Sequence, residues 1–266
     1  MKKNYLLIMA LMMMFVLVLA GCGTSNDEGS VNDDASGNEA KANEDSGTLV
    51  MGTSADYPPF ESRNPQGDIV GFDIELANYI ADELGMELEI RDMNFDGLIG
   101  ALQAERIDMV ISGMSADEDR RKNVDFSIEY HSSGEMFVSL KDAAFTSLDD
   151  LNGKTIGVQL GSIQQEGAAN LQADYDFEVK TLDDAQGLIQ ELLSNRLDAV
   201  YLDKEVALGF IAAQDLAGFD DPSGTTPGMA VAFPKGSELV EQVDAIIEQA
   251  IESGKLAEWE AEWLSE

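Results

Sequence analysis

Short apolar runs recur along the chain from residue 48 onward, at 49–53, 86–90, 108–112, 135–140, 155–159, 177–180, 197–202 and 229–233, each of strand length. Between them the apolar positions change to helical spacing. In the segment 73–84, Leu76, Ile80 and Leu84 fall on one face and Gly85 supplies a stop. Two further helical segments, 238–253 and 256–264, end the chain. Strands alternating with helices predict an α/β fold. One pattern occurs twice: residues 102–110 read LQAERIDMV and residues 193–200 read LSNRLDAV. Each is a helix end, an Arg-apolar-Asp turn and a buried strand, and the repeat suggests two similar α/β lobes.

The chain has 266 residues, of which 44% are apolar, enough for one large or two modest cores. The first residues change the picture. Lys2 and Lys3 precede an apolar run over 5–19, which ends in Leu19-Ala20-Gly21-Cys22. This predicts an export signal with small residues at its cleavage point, the alternative being an uncleaved membrane anchor. The last four residues resemble the lipobox of bacterial lipoproteins, which implies cleavage after residue 21 and lipidation of Cys22. Residues 23–47 are mostly Gly, Ser, Asn, Asp, Glu and Ala, a composition that cannot bury a core and predicts a disordered tether with a reach of about 25 to 30 Å.

Charge and rare residues exclude several functions. Sixteen Lys plus Arg face 51 Asp plus Glu, a net charge of −35 that repels phosphate backbones and excludes nucleic acid as a partner. The excess could steer a cationic solute to the protein or serve solubility. One cysteine and one histidine rule out disulfides and multi-Cys or multi-His zinc sites, so neither metal nor cofactor is expected. Gly153-Lys154-Thr155 resembles the end of a phosphate loop, but Leu148 replaces the earlier glycine and a strand follows. His131 has no nucleophile near it in sequence and reads as a solvated hinge residue. The pairs Asp33-Asp34, Asp149-Asp150 and Asp183-Asp184 read as caps in linkers and helix starts.

Four stretches fall at the carboxyl ends of predicted strands, the usual ligand edge of an open α/β sheet. They are 52–61 (GTSADYPPFE), 94–97 (NFDG), 112–121 (SGMSADEDRR) and 159–164 (QLGSIQ), the last turning from strand into helix and offering backbone N–H groups to an anion. Together they describe a binding cleft.

With 71–85 (GFDIELANYIADELG), 94–115, 120–127 (RRKNVDFS) and 157–162 (GVQLGS) added, the chain from about residue 47 to 263 resembles the amino-acid-binding solute receptors of bacterial ABC importers, solute-binding protein family 3. The resemblance implies the two-lobed periplasmic-binding-protein-like type II fold. Its lobes would be 48–131 plus 231–266 and 132–230, with crossovers near 130–134 and 225–231. It implies that Arg120 clamps a ligand α-carboxylate through a two-pronged contact, aided by the Ser115 hydroxyl and the N–H groups of Ser162 and Ile163. Asp203 and the Ser112 carbonyl, with Gly113 in the same turn, would take the α-ammonium. Tyr57 and Phe95 would sandwich the side chain. Many relatives carry an acid at the position of Ser54 and Thr at that of Asp117, so Glu61, Gln159 and Gln164 remain to read a basic or neutral polar side chain, basic being favoured.

The function so implied is capture of a polar amino acid outside the cell for a membrane permease and its ATPase, by a monomer anchored through lipid to the outer face of the membrane. It is not an enzyme. Two other classes stay open: a dehydratase or lyase using Glu61 on the same fold, and a surface sensor or adhesin.

Overall fold

The computed structural model describes residues 47–223 and 226–264. The predicted signal at 1–21, Cys22, the tether up to residue 46 with Asp33-Asp34, and residues 224 and 225 of the expected second crossover lie outside the described residues.

The first half runs β1 (Thr48–Thr53), β2 (Asp56–Tyr57), β3 (Glu61–Arg63), β4 (Ile69–Val70), α1 (Phe72–Leu84), β5 (Glu87–Asp92), α2 (Leu98–Gln103), β6 (Met109–Val110), α3 (Glu118–Arg121) and β7 (Asp125–His131). The second runs β8 (Glu135–Ser139), β9 (Thr155–Gln159), α4 (Ile163–Leu171), β10 (Glu178–Leu182), α5 (Ala185–Leu193), β11 (Ala199–Asp203), α6 (Lys204–Gln214), β12 (Ala217–Asp220), β13 (Met229–Phe233), α7 (Leu239–Glu252) and α8 (Lys255–Trp259). Gly85 stops α1 as expected: it takes φ 67°, a left-handed turn open to a residue without Cβ, and its N–H closes on the carbonyls of Ala81 and Asp82.

Two five-stranded sheets result, in the orders β5-β1-β6-β13-β7 and β10-β9-β11-β8-β12. Each is parallel on one side, where helices connect the strands, and antiparallel on the other. These sheets and their helices are the two lobes. The chain leaves the first sheet after His131 and returns to it at Met229. Leu49 and Met51 of β1, Leu76 and Ile80 of α1, and Val243 and Ile247 of α7 are fully buried together. Each contributes about 1.5 to 3 kcal/mol by leaving water. In the second lobe Phe137 stacks on Tyr201, with ring centroids 4.2 Å apart.

The repeated sequence pattern is a repeated structure. Asp108 Oδ2 accepts the Val50 N–H at 2.8 Å, and Asp198 Oδ2 accepts the Thr155 N–H at 2.9 Å. In each lobe an acid just before one strand therefore ties that strand to its parallel neighbour. Each acid is reached through a left-handed residue, Glu105 at φ 52° and Asn195 at φ 56°.

Several features differ from the sequence expectations. The loop at 52–61 contributes to a small three-stranded sheet, β2-β3-β4, that holds its aromatic residues. β7 and β12 were not expected, because DFSIEYH and AGFD contain no continuous apolar run. His131 is not a solvated hinge residue. Its side chain is only 11% exposed, with Nδ1 3.2 Å from Glu260 Oε1. The ring lies 5.6 Å from that of Phe60 and 5.8 Å from that of Phe72, because these aromatics pack under the end of β7. Asp184 does cap α5, through the Gly187 N–H at 2.6 Å.

Candidate functional site

The strand ends of the two sheets face each other across a cleft that is nearly shut, with a gap of about 10 Å³ between them, room for roughly one water. Ser54, Tyr57, Phe95, Ser112, Gly113, Ser115 and Arg120 line it from the first lobe; Gln159, Ser162, Ile163 and Asp203 line it from the second. Asp56, Glu61 and Gln164 complete the wall. A wider groove elsewhere, between α6 and Trp263, is mostly apolar and brings together no comparable set of charges.

Arg120 sits in the short helix α3, whose N-cap Asp117 accepts its backbone N–H at 2.7 Å. Asp117 also approaches Arg120 Nε at 3.1 Å, so this acid orients the guanidinium instead of covering its outer edge. Nη1 donates to the Ser115 carbonyl at 2.8 Å, and Nη2 to the Gly161 carbonyl of the other lobe at 3.0 Å. Each Nη carries a second N–H, the pair that a carboxylate would take. Burial draws this guanidinium below its ordinary pKa, with Asp117 opposing. The Phe95 ring lies under Arg120, with Cζ 5.3 Å from its centroid, so Phe95 braces the clamp as well as lining the gap.

On the opposite side Asp203 ends β11, fully buried at the N-terminus of α6, without capping that helix. Its Oδ2 accepts the Tyr57 hydroxyl at 2.8 Å and Gln164 Nε2 at 3.3 Å. Its Oδ1 has no partner. A buried carboxylate oxygen with an empty valence is costly, and an ammonium donor would satisfy it. Burial, reinforced by the charges of Glu135 and Glu205, pushes this carboxyl up to about 7.

The remaining residues are held by short contacts. Ser112 Oγ accepts the Ser54 N–H at 3.0 Å and donates to Glu61 Oε1 at 2.8 Å. Gly113, at φ 53°, gives its N–H to Asp73 Oδ2 at 2.6 Å. Ser162 is the N-cap of α4, accepting the Gln165 N–H at 3.2 Å, which leaves Ile163 as the first residue of that helix. Gly161 takes φ 78°, and a Cβ there would stand 3.0 Å from that of Asp96 in the first lobe.

Asp56 was not singled out from the sequence, although it lies in the first motif. Its Oδ1 accepts the Ser54 hydroxyl at 2.7 Å. Its Oδ2 reaches across the cleft to the Ala185 N–H at 2.6 Å and Gln159 Nε2 at 3.3 Å. An acid at the N-terminus of α5 is favoured by the helix dipole. The cleft wall thus carries three carboxyl groups, Asp56, Glu61 and Asp203, and one guanidinium.

A family model described as bacterial extracellular solute-binding proteins, family 3, matches residues 49–266. The arginine-binding extracellular protein ArtP of Bacillus subtilis (strain 168) is 40% identical over an alignment 269 positions long, gaps included, covering 100% of this chain and 99% of that protein. A crystal structure of the substrate binding protein of an amino acid ABC transporter is 39% identical, with a TM-score of 0.78 over 83% of this chain and 100% of that one. An ancestral arginine-binding protein bound to arginine is 38% identical, with a TM-score of 0.77 over 82% and 99% of the two chains. Because the likeness takes in both lobes and every strand end around the cleft, the chain belongs to the bacterial extracellular solute-binding proteins of family 3.

Proposed function

We propose that this protein is the extracellular receptor of an ABC importer, and that it captures a cationic amino acid, arginine foremost. The observation that carries the reading is the unpartnered, buried Oδ1 of Asp203 in the same cleft wall as the Arg120 guanidinium, one residue from each lobe. An amino acid has the two complementary charges on one carbon. Its α-carboxylate goes to Arg120, the Ser115 hydroxyl and the Ile163 N–H; the Ser162 N–H, expected to join them, is given to the Gln159 carbonyl at 3.3 Å. Its α-ammonium goes to Asp203 Oδ1 and the Ser112 carbonyl, beside Gly113.

The side chain runs between Tyr57 and Phe95, and its far end meets Glu61, Asp56, Ser54, Gln159 and Gln164. The surplus of acids there selects a cation. Names of the relatives bear on this: ArtP is called arginine-binding, and an ancestral arginine-binding protein was solved both with arginine and with glutamine.

Closure follows from which lobe carries which partner. Arg120 lies in the first lobe and Asp203 in the second, so a ligand that bridges them adds to the direct lobe-to-lobe bonds of Tyr57, Arg120 and Asp56 and stabilises the closed form further. The closed receptor then delivers its cargo to a membrane permease and its ATPase. Cleavage of residues 1–21 and acylation of Cys22 would hold the protein, as a monomer on its tether, at the outer face of the membrane. Two or more acyl chains suffice for stable anchoring.

Thermal unfolding of the purified protein against each of the twenty amino acids tests the reading. Ligand at a hundred times its dissociation constant adds about 2.7 kcal/mol of stability. A rise with arginine above all others is expected. No rise with any amino acid would sink the proposal.

A further inference from the structure

At the first-lobe wall of the cleft two carboxyl groups come together, Glu61 from β3 in the wall and Asp73 from the first turn of α1 behind it, both fully buried. Each has one well-served oxygen. Glu61 Oε1 accepts from Ser112 at 2.8 Å; Asp73 Oδ2 accepts the Gly113 N–H at 2.6 Å and the Tyr130 hydroxyl at 3.0 Å. The other two oxygens, Glu61 Oε2 and Asp73 Oδ1, have no donor.

Two adjacent carboxylates in a dry site repel each other, and two acceptor oxygens cannot satisfy each other. One proton held between them removes both difficulties. The surroundings decide which group holds it. Asp73 has the better donors, and His131 lies on its side; Glu61 has only the Ser112 hydroxyl and faces Asp56. Burial, with the Asp73 charge added, accordingly pushes the Glu61 carboxyl well above its ordinary range. Asp73 is raised less, since its hydrogen bonds oppose burial. The other titratable groups nearby are Tyr57, Tyr130 and Asp203, with Glu260 and Glu205 beyond His131.

We propose that Glu61 and Asp73 share a proton which a cationic side chain expels on entering the cleft, so that cationic amino acids bind in exchange for a proton and neutral ones do not. This rests on the receptor reading above. The balance is simple: the Glu61 O–H bond breaks, the proton leaves to solvent, the ligand keeps its own charge, and the new carboxylate is paired with it. Asp73 touches no ligand and is a positioning residue. Its effect is to make the choice between a cationic and a neutral side chain depend on pH.

The test counts protons. L-Arginine is titrated into the purified protein by calorimetry at about pH 5.5, above the ordinary Glu range, in buffers of different ionisation enthalpy. Protonation of Asp203 is common to all the proteins compared and cancels in the differences. Wild type is expected to release about one proton more than Asp73→Asn, with its arginine affinity gaining up to about tenfold more per pH unit. The amide introduced by Asp73→Asn would keep the acceptor for Gly113 and Tyr130 and offer an N–H to Glu61, leaving Glu61 already ionised. Glu61→Gln is expected to lose the same proton together with affinity, and it decides the matter if Asp73→Asn does not fold. Equal proton release by wild type and Glu61→Gln would overturn the exchange and leave the receptor reading intact. Absence of binding by any cationic amino acid would overturn both.

Discussion

Tyr57 and Asp203, 146 positions apart, exchange two hydrogen bonds across the cleft: the Tyr57 hydroxyl donates to Oδ2 at 2.8 Å and accepts the Asp203 N–H at 3.2 Å. One phenol thereby joins the lobes and orients the acid proposed to read the ammonium. Tyr57→Phe is expected to weaken amino-acid binding by about ten- to a hundredfold, the value of a hydrogen bond to a charged group. Calorimetry would check it, and an unchanged dissociation constant would exclude this role.

Asp203 also predicts a pH dependence. Burial pushes its carboxyl up to about 7, and a bound ammonium would lower that value. Affinity should therefore be full above about pH 7 and fall by up to about tenfold per unit as pH drops below it. Neutral amino acids that bind should share this dependence. A profile flat from pH 8 to 5 would contradict the assignment.

The same shift has a converse in stability. A carboxyl whose folded value lies above its unfolded one favours folding below the unfolded value, and that contribution is lost as pH rises through the folded value near 7. Asp203→Asn should accordingly stabilise the ligand-free protein at pH 8 by about 2 to 4 kcal/mol while removing amino-acid binding. Chemical denaturation with and without arginine measures both. A variant no more stable than wild type at pH 8 would refute the prediction.

Arg120→Lys should lower affinity by at least about a hundredfold. An ammonium cannot span Asp117, the Ser115 carbonyl and the Gly161 carbonyl while still offering two N–H groups to a carboxylate. Loss of less than threefold would remove Arg120 from the proposed clamp.

Gly161→Ala should cost the ligand-free protein about 1 kcal/mol, because φ 78° is strained for alanine, and should also impair closure. The new methyl would meet Asp96 of the opposite lobe at 3.0 Å. Small-angle scattering with arginine present should give a larger radius of gyration than for wild type. Equal radii would mean that the lobes close past the methyl.

The sequence made the cleft legible because glycine-rich turns at strand ends are local signals. Gly113 and Gly161 both take left-handed conformations where such turns were read. Asp56 and Asp73 were opaque for the opposite reason: their partners Ala185 and Gly113 lie 129 and 40 positions away. Each also had an ordinary local explanation, a turn for the first and a helix start for the second. β12 escaped because an edge strand needs only alternate half-buried residues. His131 was misread because no spacing reveals that Phe60 and Phe72 fold beneath it.

The place of β13 between β6 and β7 has a consequence for synthesis. Ser127 of β7 accepts the N–H of Val231, 104 positions later, so the first sheet stays incomplete until almost the whole chain exists. The second sheet is continuous in sequence and can be assembled as it emerges. The lobe whose first strand is made earliest is therefore the last to be completed, and the later-starting lobe is the one that can already be whole beside it.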